Sequence, residues 1–344
     1  MSHAVRPCRA VAHSNIALVK YWGKRAGVDP ALNLPAVGSL SMTLDELRSD
    51  TTVAPAEADR FTLDGVRLED GAARKVFSQL DRMWSLAGRE GVRPPCSVDS
   101  RNHLPTAAGL ASSASGFAAL TVAGAGALGL VEQLDAPGVR DRLSNWARQG
   151  SGSAARSLWG GFVRLDAGSR DDGEDCRARP IFPDRGADHW DLRLLVVHTA
   201  RGAKAIGSTG GMESSRLTSP YYPAWVETST ADLDAGEAAL RDRDFEGLGR
   251  VMEHSCFKMH ACMLATRPPL VYWNGTTLEV IREVWRLREA GGPTGWVTSD
   301  AGPHVKVLVA ADTAAALAEA LRAVPGVHEV QAVAAGPDAS MDFI

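Results

Sequence analysis

The sequence predicts an α+β protein of two domains, on three observations. At 344 residues the chain is long enough for two domains of ordinary size. Its first half carries period-two apolar segments that read as antiparallel strands, followed by a long apolar helix. Its second half opens on an apolar strand and closes with strand, turn, strand, helix and strand, which suits a small α+β sandwich. The polar segment 167–185 separates the halves, so the domains are expected at 1–188 and 189–344.

Taken in order, Asn15–Tyr21 is a strand running into the basic turn Lys20-Tyr21-Trp22-Gly23-Lys24-Arg25. Leu40–Leu44 is a second strand, with Leu40, Met42 and Leu44 on one face and Ser41 and Thr43 on the other. Thr51–Val53 and Arg60–Leu68 are further antiparallel strands, the latter folded at Asp64-Gly65. Ala72–Leu86 is an amphipathic helix with Val76, Phe77, Leu80, Met83 and Trp84 on one face. Ser97–Ser100 is a short strand, and Ser113–Leu128 a helix apolar all round and therefore buried. The run Gly124–Gly129 formally matches G-x-G-x-x-G. It neither follows a strand nor opens a helix, so its glycines are read as allowing close helix packing. Gly138–Arg148 is a helix stopped by Gly150.

In the second half Leu192–Thr199 is a strand and Lys204–Ser219 a Ser/Thr-rich loop. Ala224–Arg241, Phe245–Leu264 and Thr277–Glu289 are helices, and Asn274-Gly275-Thr276 reads as a turn. Two strands flank Asp300-Ala301-Gly302-Pro303, then Ala314–Val324 is a helix and Val327–Val333 a final strand.

A formal net charge of −4, with 45% hydrophobic and 23% charged residues, excludes a global basic field for nucleic acid or membranes. An anionic substrate would need a local cluster of Lys and Arg. The cysteines at 8, 96, 176, 256 and 262 form no CxxC pair or zinc spacing, so reduced thiols are expected. The N-terminal stretch lacks the apolar core of a signal peptide, and no apolar run is long enough to span a bilayer. A cytoplasmic protein is expected.

The chain is organised around Asn102–Ala118, NHLPTAAGLASSASGFA. Pro105 and Gly109 break the chain, and Ser112 and Ser113 stand at the mouth of a small-residue helix. A helix start offers unpaired N–H groups and partial positive charge, and serine hydroxyls add donors or reach a metal. The stretch is a phosphate-binding loop or a serine cap on a core helix. Four other segments carry polar groups that their surroundings do not explain: Asn15 with Lys20, Tyr21 and Lys24; Ser151 with Ser153 and Arg156; Ser208 with Thr209; and Asp300. Each has an ordinary alternative. Those are a snorkelling lysine, a capped helix start, a surface loop and an Asp-Ala-Gly-Pro turn.

From residue 14 to 303, the segments SNIALVKYWGKR, NLPAVGSLSMTLD, NHLPTAAGLASSASGFAAL, GSGSAARSLWGGFV, GSTGGM and SDAGP follow one another. In this order they resemble the sequence blocks of the diphosphomevalonate decarboxylases, within the GHMP kinase superfamily. KYWGK and SGSxxRSLxGG are the specific parts; the phosphate loop is shared with the wider superfamily. The resemblance implies a ribosomal-protein-S5-domain-2-like N-terminal domain, a ferredoxin-like C-terminal domain, and a cleft for ATP, Mg2+ and substrate. The implied reaction is ATP-dependent conversion of (R)-5-diphosphomevalonate to isopentenyl diphosphate, ADP, phosphate and CO2.

Carried onto matching positions, Asp300 is the general base or orienting acceptor at the C3 hydroxyl, Lys20 its cationic neighbour, and Arg156 the holder of the substrate carboxylate. Asn15, Tyr21, Lys24, Ser151, Ser153 and Ser208 would bind substrate. Pro105, Ala108, Gly109, Leu110, Ala111, Ser112 and Ser113 would hold ATP, with Ser112 reaching Mg2+. The resemblance also implies a homodimer. Three departures stand out: Val37-Gly38-Ser39 where Asn-Ser-Ser is frequent, His304 where asparagine usually follows the DAGP segment, and Phe257-Lys258-Met259 near His260. They bear on the choice between a 5-diphosphate and a 5-monophosphate. A monophosphate decarboxylase, a 3-kinase without decarboxylation and a non-catalytic sensor of the same fold are the alternatives.

Overall fold

The computed structural model describes residues 5–103, 112–201 and 207–344. Among the described residues an eight-stranded sheet organises the first half, on the path β12 (Ser340–Phe343), β1 (Cys8–Val19), β2 (Ser39–Pro55), β5 (Cys96–His103), β3 (Arg60–Leu63) and β4 (Val66–Leu68), with β6 (Phe162–Leu165) pairing with β2 and β7 (Ala178–Pro180) with β6. Its long central pair is β1 (Cys8–Val19) and β2 (Ser39–Pro55). The segments read as two strands, Leu40–Leu44 and Thr51–Val53, are one. Arg48 and Asp50 between them stay paired with β1 and with β5 (Cys96–His103). Both faces of the first part of β2 are covered: Ser41 and Thr43 are as buried as Leu40 and Met42. Their hydroxyls donate to the carbonyls of Val163 (3.4 Å) and Trp159 (2.8 Å).

The strands β3 (Arg60–Leu63) and β4 (Val66–Leu68) form the expected hairpin. Asp64 and Gly65 take φ of 50° and 81°, the left-handed pair that a two-residue turn requires. The strand β6 (Phe162–Leu165) pairs with β2, and β7 (Ala178–Pro180), inside the segment read as a loop, pairs with β6. Against this sheet pack α1 (Gly71–Leu86), α2 (Ser112–Ala127) and α3 (Val139–Gly150). The glycines of α2 allow close approach, as their spacing suggested. A Cβ on Gly124 would come within 2.4 Å of Leu80 and one on Gly126 within 2.5 Å of Cys8.

The second half contains β8 (Leu192–His198), α4 (Ser208–Thr218), α5 (Tyr222–Asp242), α6 (Phe245–Leu264) and α7 (Gly275–Glu289). There follow β9 (Gly295–Ser299), β10 (Val305–Ala310), α8 (Ala314–Arg322) and β11 (Glu329–Ala334). Four strands form an antiparallel sheet in the order β11-β8-β10-β9. Asn274, read as a turn residue, caps α7 in a reciprocal pair with Thr277. Helix α4 replaces the expected loop: Gly211 packs among Trp22, Leu270 and Tyr272, so tertiary contacts order a Gly- and Ser-rich segment.

The halves share a core. Leu194, Val196 and Leu308 of the second sheet pack with Ile16, Leu18, Leu40 and Met42 of the first, enclosing α5 and α6. The last strand, β12 (Ser340–Phe343), returns to pair antiparallel with β1, so the chain crosses between halves again after residue 189. Among the described residues no helix is long and apolar enough to cross a membrane.

Glu237 of α5 fastens this junction. It bonds Arg164 of β6, Arg179 of β7 and Arg241 of its own helix at 3.0, 2.8 and 2.6 Å. Burial alone would raise its carboxyl, but the hydrogen bonds from Arg179 and Arg241 and the charge of Arg164 bring it down to about 2. Its stabilisation is therefore present above the ordinary glutamate value and lost as pH falls toward 2. Glu237→Gln is expected to cost about 2 kcal/mol, below a fully buried pair because Arg179 and Arg241 are half-exposed. Urea unfolding at pH 7 and at pH 2.5 checks it; the gap between variant and parent should shrink at the lower pH.

Candidate active site

Strand β1 ends at Val19 and delivers Lys20 into the seam between the halves, where it is 1% exposed. Its backbone N–H donates to Ser255 Oγ on α6 (3.0 Å). Its ammonium donates to the Ala17 carbonyl (2.9 Å) and to Asp300 Oδ1 (2.7 Å). Lys20 is thus a buried partner of Asp300, not a snorkelling surface residue.

Asp300 follows β9 in a turn closed by the Gly302 N–H on the Asp300 carbonyl (2.7 Å). The chain does bend here, but through a three-residue γ-type bond rather than the type I or II turn that Asp-Ala-Gly-Pro suggests, and the carboxylate serves another purpose. Its second oxygen takes the ammonium of Lys306, from β10, at 3.1 Å. With 38% of its side chain open, Asp300 sits deep in the protein yet faces the cleft. Burial would raise its carboxyl. The charges of Lys20 and Lys306 and the hydrogen bonds from both outweigh burial and hold it well below the usual carboxylate range. Sequence reasoning missed Lys306, which stands between valines as an ordinary polar position of an alternating strand.

Two neighbouring histidines are neutral. Burial, then the charge of Lys306, lowers His304 to about 4, and burial, then Lys20, lowers His260 to about 3. His304 Nδ1 accepts the Thr199 N–H (3.2 Å), which assigns its proton to Nε2. Where the resemblance implies asparagine, this chain has an uncharged imidazole on the cleft wall.

Arg156 lies in the short 3-10 turn Gly152–Leu158 after α3. Its Nε and Nη2 donate to Asn15 Oδ1 (3.2 and 2.9 Å), and Nη1 to Ser39 Oγ (2.6 Å). Asn15 is itself fixed by donating to the Ser153 carbonyl (3.0 Å) and Ser157 Oγ (2.8 Å). The guanidinium is oriented by neutral oxygens, and among the described ion pairs no carboxylate takes it. Burial lowers it to about 10, with the Asp300 carboxylate opposing, so it stays cationic at neutral pH. Ser39, which keeps the serine after the departures Val37 and Gly38, is thereby a supporting residue that the sequence did not reveal. Ser151 makes no side-chain cap bond, and its hydroxyl lies 3.4 Å from that of Ser153 on the cleft wall.

The basic turn forms a third group. Gly23 takes a φ of 104°, and a Cβ there would strike the Tyr222 hydroxyl, so only glycine fits. The indole of Trp225 on α5 donates to the Trp22 carbonyl (2.8 Å) and fixes the turn to the second half. Lys24 bonds Asn33 and lies 5.6 Å from the Tyr21 ring centre. The buried Tyr21 hydroxyl lacks a hydrogen-bond partner among the described residues. Ser208 lines the same cleft from the first residue of α4.

Gly152 is spaced to suit this group: a Cβ there would lie 2.3 Å from the Tyr21 hydroxyl and 3.5 Å from Lys24 Nζ. Gly152→Ala is expected to lower kcat/KM by about 10²-fold through displacement of these donors. The unfolding midpoint should change little, because the clash falls on side-chain ends; kinetics and thermal melting of one preparation check both.

All three groups line a cleft of about 1040 Å³ between the halves. Its opposite wall carries Arg74, Lys75, Ser78 and Arg82. These form the polar face of α1, whose apolar face alone was legible in the sequence. Ser113, exposed in the first turn of α2, also lines the cleft. Ser112 is the first residue of α2. Pro105, Ala108, Gly109, Leu110 and Ala111 lie outside the described residues.

Two α+β halves around a cationic cleft, with a buried Lys–Asp–Lys group at one end, define an enzyme of the GHMP kinase fold. Residues 12–178 match the diphosphomevalonate decarboxylase-like N-terminal domain and residues 194–341 the mevalonate 5-diphosphate decarboxylase C-terminal domain. The chain belongs to the diphosphomevalonate decarboxylase family. It is 37% identical to the diphosphomevalonate decarboxylase of Gibberella zeae, over 96% of this chain and 88% of the relative. It is 38% identical to that of Homo sapiens, over 90% and 79%. Among solved structures, MDDEF in complex with MVAPP, AMPPCP and magnesium superposes with a TM-score of 0.87 at 36% identity, covering 99% of this chain and 100% of the other. Mevalonate diphosphate decarboxylase from Staphylococcus aureus gives 0.87 at 33% identity, covering 98% of each.

Proposed function

We propose that this protein uses ATP to decarboxylate (R)-5-diphosphomevalonate to isopentenyl diphosphate, releasing ADP, phosphate and CO2. The observation that carries the reading is the meeting, in one cleft, of Asp300 between two lysines with an oriented guanidinium, Arg156. ATP with Mg2+, when bound, supplies the phosphoryl group. Arg74, Lys75 and Ser113 fit a polyphosphate chemically. Among the described residues no three His, Cys, Asp or Glu side chains gather as a metal cage. Mg2+ would then be held mainly by phosphate oxygens, with Ser112 as a protein ligand.

The C3 hydroxyl is a poor leaving group until it is phosphorylated. Asp300 accepts its hydrogen bond and aims the oxygen lone pair. A carboxylate held this far below its usual range is a poor resting place for a proton, so Asp300 orients more than it removes. Lys20 keeps Asp300 ionised and offsets charge on the migrating group. Arg156 holds the substrate carboxylate in the plane that Asn15 and Ser39 impose. Tyr21, Lys24, Ser151, Ser153 and Ser208 bind the diphosphate; the unpartnered Tyr21 hydroxyl and the Lys24 ammonium support an anion at that end. The proposal extends to domains divided at 188/189, a homodimer and a cytoplasmic location, as the resemblance implies.

The test is kcat/KM for 5-diphospho- and 5-phosphomevalonate with ATP and Mg2+. The diphosphate is expected to be preferred by at least about 10²-fold, since the monophosphate leaves buried donors unpaired. A preference for the monophosphate would contradict the reading.

A further inference from the structure

We propose that Lys306 is a second catalytic cation: at rest it and Lys20 grip the two oxygens of Asp300, and in turnover it contacts the phosphoryl group carried on the substrate C3 oxygen. The proposal rests on the reaction assigned above. Strand β10 alternates: Val305, Val307 and Val309 pack in the core with α7 and α8, while Lys306 and Leu308 stand on the opposite face. Leu308 enters the core shared by the halves, and Lys306, 4% exposed, reaches the cleft. A buried ammonium is costly unless paired, and Lys20 alone already balances the single charge of Asp300. Lys306 therefore brings surplus positive charge to the reacting end, which an anionic ligand group can meet.

The chemistry locates that anion. Arg156 is oriented for the substrate carboxylate, so the surplus beside Asp300 faces the oxygen that Asp300 orients. Lys306 donates to Asp300 Oδ2 at 3.1 Å and to the His304 carbonyl at 3.4 Å, leaving a third N–H for a ligand oxygen. In the reaction the C3 oxygen forms the new O–P bond with its own electron pair, and the P–O bond to ADP breaks with its pair going to ADP. The C3–O bond then breaks with its pair leaving on phosphate, which also carries the hydroxyl proton away. The C1–C2 pair becomes the new double bond as CO2 departs. Lys306 offsets charge gathering on the phosphate as the C3–O bond opens.

The experiment compares the parent with Lys306→Met, Lys306→Gln and Lys306→Arg, using ATP, Mg2+ and 5-diphosphomevalonate and following ADP and CO2. The neutral variants are expected to lose about 10²–10³-fold in kcat while KM for the substrate moves less than about threefold. An acid limb should rise to higher pH in kcat, because Asp300 keeps only one lysine. The other groups near Asp300 are Lys20 just after β1, Cys256 and His260 on α6, His304 before β10, and Arg156; they are unchanged. Lys306→Arg keeps the charge and should retain at least about tenfold more activity than Lys306→Gln. If neither neutral variant folds, Lys306→Arg is read for its own kcat: a planar fork cannot place its charge where the ammonium stands, so a loss of about tenfold with KM within about threefold is expected, and parental kcat with a parental pH profile would overturn the proposal. A folded neutral variant with kcat within about threefold of the parent and no displaced acid limb would overturn it directly. An inactive parent would instead overturn the assigned reaction.

Discussion

Asp300→Asn is expected to reduce kcat by at least about 10³-fold, with ADP and CO2 formation falling together. Asparagine keeps the shape but removes the charge, and its amide donors would face two ammonium groups at the positions Oδ1 and Oδ2 now occupy. Folding should suffer less than for a fully buried pair, which costs about 3–5 kcal/mol, because more than a third of the side chain opens to the cleft. The pH dependence has a definite sign. Asp300 is held below its ordinary value of 3.8, so its ionised form stabilises the fold above that value. That contribution is lost only as pH falls through the still lower folded value. An acid limb in the parent's kcat near neutral pH therefore belongs to substrate or nucleotide phosphates, and steady-state profiles with both substrates varied check this. Turnover by Asp300→Asn within tenfold of the parent would remove Asp300 from its central role.

Arg156→Lys is the second large effect: kcat/KM should fall by at least about 10²-fold, mostly in kcat. The three bonds from Arg156 to Asn15 and Ser39 hold a flat fork in one plane, and an ammonium cannot reproduce it. The substrate carboxylate would be held without the alignment that decarboxylation requires. Steady-state kinetics beside a thermal melt separate this from misfolding; unaltered kcat in a folded variant would contradict the carboxylate role.

The sequence made the site's poles legible because rare polar residues interrupt apolar segments. Lys20 at the end of β1 and Asp300 after β9 both stood out, and the structure joins them at 2.7 Å. Helix α6 runs from Phe245 to Leu264 as its pattern indicated. What stayed hidden has a common physical origin, since it depends on what covers a face. Lys306 occupies a polar position of an alternating strand, and only the docked first half turns that position into a buried one. Arg74, Lys75, Ser78 and Arg82 are the ordinary charged face of an amphipathic helix until the cleft forms opposite them. Helix α4 carries loop-like composition and is ordered by packing near Trp22 and Tyr272. Strand β12 is a short polar segment whose pairing with β1 no local pattern reveals.

The central claim is that one chain couples phosphoryl transfer to loss of CO2 at the Lys20–Asp300–Lys306 group. Stoichiometry tests it most directly: purified protein, ATP, Mg2+ and limiting 5-diphosphomevalonate, with ADP, phosphate and CO2 measured in one reaction. Equal amounts of all three, matching the substrate consumed, are predicted. ADP in step with the substrate but without phosphate or CO2 would mean that the cleft phosphorylates and stops, contradicting the roles given to Asp300 and its two lysines.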